Sequence, residues 1–98
     1  MTEQEKQLWL EAIGKLGEHY KKYELDQIPP SYRRGTGKLC PLCEADNNIK
    51  RPGIKTCESC LWPKFEDGYC GSKNWARHLT LQRLDRLDRW ERLIKEMK

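Results

Sequence analysis

The sequence predicts a mainly α-helical protein in which two long helices bracket a small zinc-ribbon or knuckle module with a four-cysteine zinc site. Three observations carry that expectation. An apolar stripe at helical spacing lies near the start of the chain, a second lies near its end, and two C-x₂-C pairs stand between them. Size gives the metal its importance. A chain of 98 residues buries roughly 60–65% of its unfolded surface, which leaves a thin margin of stability. With 35% charged residues, 37% apolar residues and one Phe, the margin is thinner still. A structural zinc ion supplies on the order of 10 kcal/mol to a small fold.

The chain reads as one domain in four stretches: an N-terminal helix (2–25), a basic linker (26–38), a zinc-knuckle module (39–72) and a charged amphipathic helix (73–98). Thr2 and Glu5 have capping-box spacing, which marks a helix start. Behind them Trp9, Ile13, Leu16, Tyr20 and Tyr23 recur at intervals of three and four, so one stripe runs along a helix from residue 3 to about 24. Gly14 and Gly17 weaken it by about 1 kcal/mol each, so it needs a partner surface. Pro29-Pro30 forbids continuation. Gly35, Gly37 and Lys38 faintly echo a phosphate loop, but the spacing is wrong and no strand precedes them.

The second helix is expected from about Asn74 to Met97. Trp75, Leu79, Trp90, Leu93, Ile94 and Met97 share a face, with Leu87 at its margin and Arg83 and Arg86 interrupting it. A three-residue repeat, Arg83-Leu84-Asp85, Arg86-Leu87-Asp88, Arg89-Trp90-Glu91, drifts about 60° per step on the helix. Its leucines therefore wind round the cylinder, so one side is expected to meet the first helix and another side a second molecule. Asp85–Arg89, Asp88–Arg92 and Glu91–Lys95 have the acid-first i,i+4 spacing of surface ion pairs.

The pairs Cys40-Pro-Leu-Cys43 and Cys57-Glu-Ser-Cys60 have knuckle spacing. Two thiolates three positions apart span one edge of a tetrahedron about 2.3 Å from Zn²⁺. Between them, Ile49 and Ile54 flank Lys50-Arg51-Pro52-Gly53, which reads as a hairpin turn. Cys40, Cys43, Cys57 and Cys60 close one structural zinc site unaided. Cys70 is the alternative fourth ligand, and His78 offers another donor. The N-terminus is polar, no apolar run approaches the ~18 residues of a span, and five cysteines leave one unpaired in any disulfide set. A reducing cytoplasm is the expected location, and no membrane is a partner.

The run Cys-Pro-Leu-Cys…Cys-Glu-Ser-Cys-Leu-Trp-Pro…Gly-Tyr-Cys-Gly, residues 40–71, resembles a C-x₂-C…C-x₂-C…C pattern found in small bacteriophage proteins. The resemblance covers about a third of the chain. It implies that Cys70 belongs to the motif and that the protein is a phage accessory product at work in a host cytoplasm. It implies no defined activity.

Among the function classes, catalysis fits poorly, because four thiolates close a zinc site that an enzyme would leave open. Nucleic-acid binding, as a zinc-ribbon accessory of transcription or DNA transactions, would use Arg33, Arg34, Lys50, Arg51 and Lys55 on phosphates. Against it, residues 39–72 carry four basic and five acidic side chains, while residues 73–98 carry eight and four. The basic excess thus lies on the last helix, where i,i+4 acids stand ready to match it. Protein binding is the favoured class: a non-enzymatic module that inhibits or redirects a host or defence protein. Trp62, Tyr69, Arg83, Arg86 and Trp90 are its candidate contacts, because Trp, Tyr and Arg anchor binding surfaces. Homodimerisation through the last helix is a further expectation.

Overall fold

A computed structural model describes residues 2–30, 40–49, 61–66 and 77–97, with the side chains of 46–49 and 63 left aside. These residues are mainly helical, and no strand occurs among them. The helices are α1 (Glu3–Tyr20), α2 (Pro41–Ile49), α3 (Leu61–Phe65) and α4 (Thr80–Glu96).

Thr2 opens α1 as expected: its hydroxyl oxygen accepts the Glu5 N–H at 3.1 Å. Trp9, Ala12, Ile13, Leu16, Gly17 and Tyr20 are buried along α1. This face is wider than the predicted stripe because α1 packs against both α2 and α4. The helix ends at Tyr20, short of the predicted limit near residue 24. The Tyr23 N–H turns back to the Tyr20 carbonyl at 3.1 Å, and Gln27 closes a second turn onto Glu24 at 3.0 Å. Tyr23 therefore leaves the stripe and sets its ring 5.8 Å from His19.

Arg77 to Leu79 are not helical and α4 begins at Thr80, while residues 74–76, where the sequence placed the start of the last helix, lie outside the described residues. Tertiary hydrogen bonds set this start. The Gln27 carbonyl accepts both the Thr80 N–H and the Thr80 hydroxyl, each at 3.0 Å. Leu79 has no side-chain acceptor with which to cap the helix. Instead Gln82 Oε1 reaches back to the Leu79 N–H at 2.8 Å, one half of a capping box.

α1 and α4 are antiparallel. The Lys6 ammonium donates to the Met97 carbonyl at one end, and Gln27 holds Thr80 at the other. Midway, a Cβ at Gly17 would lie 3.8 Å from Leu87 Cδ1. The buried face of α4 comprises Thr80, Arg83, Leu87, Trp90 and Ile94, repeating at three and four. Leu87 is central to it rather than marginal, whereas Leu79 and Leu93 are exposed. Pairing with α1 thus kept Arg83, Trp90 and Ile94 of the predicted face and shifted its centre toward Leu87. Leu42 and Ala45 of α2 and Leu61 of α3 complete the core.

The first knuckle is helical. Pro41 takes the first position of α2, where its missing N–H costs nothing, and the Glu44 N–H bonds the Cys40 carbonyl at 2.9 Å. Leu42 and Ala45, three apart, bury one face of α2. Ile49 closes this helix and is not the strand residue predicted for a hairpin. The remainder of that hairpin, Lys50 to Ile54, lies outside the described residues.

Candidate binding face and cysteine pair

Cys40 immediately precedes α2 and Cys43 lies in its first turn, so they are i,i+3 neighbours on one side of the helix start, both half-buried. Two soft sulfur donors so placed suit one edge of a zinc tetrahedron, and the first turn of a helix favours anionic charge beside it. Cys57, Cys60 and Cys70 lie outside the described residues. Among the described residues, no group of three His, Cys, Asp or Glu side chains is gathered to hold a metal.

The other candidate region surrounds α4, whose second side meets the chain's own α3. Trp62 packs edge-on against Trp90, with centroids 4.9 Å apart, and Phe65 lies 6.4 Å from the same ring. Glu66, just beyond α3, joins the two elements with a carboxylate only 12% exposed. It accepts the Trp90 indole N–H at 3.1 Å, pairs with Arg86 at 3.5 Å and is bonded by Arg89. The Arg86 guanidinium also lies over the Trp62 ring, 5.6 Å from its centroid. Burial lowers the Arg86 pKa, although an arginine so paired remains a cation.

Arg83 is buried at 9% exposure. Its guanidinium covers the Tyr20 ring at 5.1 Å, and its Nε donates to the His78 carbonyl at 3.2 Å. His78 is held below its ordinary 6.5 first by burial, then by the charges of Arg86 and Arg83. His19 places Nε2 3.1 Å from the Pro30 carbonyl oxygen.

The predicted partner contacts are therefore distributed unevenly. Trp90 has no exposed surface and Arg83 almost none, so both serve the intramolecular seam. Trp62 is half-buried in the α3–α4 contact, and Arg86 is tied to Glu66. Tyr69 and the basic set Arg33, Arg34, Lys50, Arg51 and Lys55 lie outside the described residues. The face that α4 turns outward is different. An open groove of about 340 Å³ runs along His78, Gln82, Asp85, Arg86, Arg89 and Arg92. Of the three i,i+4 pairs expected on this helix, Glu91–Lys95 closes at 2.9 Å. Arg89 instead turns to Glu66, and no contact joins Asp88 to Arg92 among the described residues. Sequence reasoning missed Glu66, because a lone glutamate after a short aromatic run has no periodic signal.

No described helix is long and apolar enough to cross a membrane. No family model, no curated protein and no solved structure matches this chain.

Proposed function

We propose that this chain is a non-enzymatic binding module, stabilised by one zinc ion, that docks on another protein. The observation carrying this reading is the division of α4. Its inner sides are used by α1 and α3, while Arg89 and Arg92 line an open groove on the outside. Arginine is a preferred anchor of interfaces. Zinc bound by Cys40, Cys43, Cys57 and Cys60, with Cys70 as the alternative fourth donor, would fix α2 where it packs on α1. The resemblance to small phage proteins makes a host or defence protein the natural target.

Nucleic-acid binding is the second reading, and one observation favours it. The pairs Asp85–Arg89 and Asp88–Arg92 are not closed among the described residues, so helix acids neutralise the groove arginines less than the sequence suggested.

Native mass spectrometry of the purified chain, with and without a strong chelator, tests the proposal. The expected result is one Zn²⁺ per chain, lost together with the fold, and a protein companion in fixed stoichiometry. Absence of metal, or iron with sulfide, overturns the zinc reading. A companion nucleic acid moves the second reading to first place.

A further inference from the structure

The groove on α4 is not explained by the intramolecular packing, and its chemistry is specific. Three guanidinium groups, Arg86, Arg89 and Arg92, repeat every third residue along it, with Gln82 and His78 beyond them and Asp85 as its acidic member. From Gln82 to Arg92 the stripe is about 15 Å long at 1.5 Å per residue. The molecule itself shows what such a stripe binds, since Glu66 places its carboxylate on Arg86 and Arg89. That carboxylate covers only one end. Arg89 remains 51% exposed at its side chain, and Arg92 is exposed with no ion pair among the described residues.

We infer that the groove is a docking site for an acidic helix of a protein partner, with Arg89 and Arg92 as its anchors. This rests on the protein-binding reading above and names the partner's chemistry. The spacing suits a helical partner. Side chains three or four apart on a helix lie about 5–6 Å apart, so Glu or Asp at i, i+3 and i+4 of a partner matches arginines at i and i+3 of α4. Each guanidinium can then take one carboxylate with both of its donors.

Fluorescence anisotropy on the full chain tests this with two labelled probes. One is an alanine-based 14-residue helical peptide carrying Glu at i, i+3 and i+4 positions along one face, and the other is a deoxythymidine decamer. The peptide is expected to bind, with salt-dependent affinity, and Arg92→Glu is expected to weaken it at least tenfold. Lys22→Glu makes the same charge change at an exposed site just beyond the end of α1 and should alter binding less than twofold. Equal losses in the two variants would reduce the effect to net charge and overturn the site. A decamer bound more than tenfold tighter than the peptide, with the same Arg92 dependence, would make the groove a phosphate-backbone site and overturn the inference. Failure of the peptide to bind while the chain keeps its zinc and fold would sink the inference alone. Binding by a chain that holds no metal would sustain the groove and remove the zinc reading beneath it.

Discussion

Gly14 and Gly17 lie three positions apart on α1 and meet different surroundings. Gly14 faces open space, whereas a Cβ at Gly17 would touch Leu87 at the ordinary distance of 3.8 Å. Neither glycine is required for a close approach, so both act mainly as entropic weaknesses in the helix. Gly14→Ala should stabilise the protein by about 0.5–1 kcal/mol, read as a melting temperature several degrees higher. An unchanged or lower melt would mean that the glycine has a role outside the described contacts. His78 gives a second test at this scale. Burial and two arginine charges depress its pKa below 6.5, so the fold prefers the neutral ring. Its contribution is complete above about pH 6.5 and is lost as pH falls through the folded value. His78→Gln removes this titration, so the native chain should lose stability relative to the variant as pH falls from about 7.5 to about 5.5. Parallel stability curves would show that the ring does not sense the fold.

Between elements, two polar contacts do what apolar stripes do not. Thr80, fully buried, fixes the start of α4 on the Gln27 carbonyl. Glu66 fixes α3 against α4 through Arg86, Arg89 and the Trp90 indole. Removing one partner of such a cluster leaves desolvated donors behind, and that loss exceeds the net value of the intact bonds. Glu66→Gln should cost about 1–3 kcal/mol in a denaturant titration. Arg89→Ala, at a half-exposed position, should cost less than about 1 kcal/mol. If Glu66→Gln were neutral, the α3–α4 contact would rest on the aromatic rings alone. The same geometry changes the expectation for Arg83. A side chain stacked on Tyr20 and bonded to the His78 carbonyl holds α1 to α4 and is not available to a partner.

For the molecule as a whole, α1 is the hub that both α2 and α4 pack against, and α2 begins at the first cysteine pair. A zinc ion held there would couple metal binding to the position of α2 and so to the core residues Leu42 and Ala45. Under the zinc proposal, Cys43→Ser should abolish the cooperative thermal transition seen by circular dichroism, since the metal's contribution approaches or exceeds the ~5–15 kcal/mol stability of an ordinary domain. A native-like melt for Cys43→Ser would show that the helices hold without the site. By itself the sequence determined the helical class, the Thr2 cap, the α1 stripe from Trp9 to Tyr20 and the placing of Trp90 and Ile94 on a shared α4 face, because helical period and capping chemistry are local properties. Only the tertiary structure decided where α1 stops, where α4 starts, which side of α4 is buried and that the first knuckle is a helix. Those outcomes depend on partners distant along the chain: Gln27 for Thr80, Tyr20 for Arg83, Glu66 for Trp90 and α1 for Leu42. On a helix whose three-residue repeat carries leucines and arginines round the whole cylinder, several faces are nearly equivalent until a neighbouring helix and a buried carboxylate distinguish them.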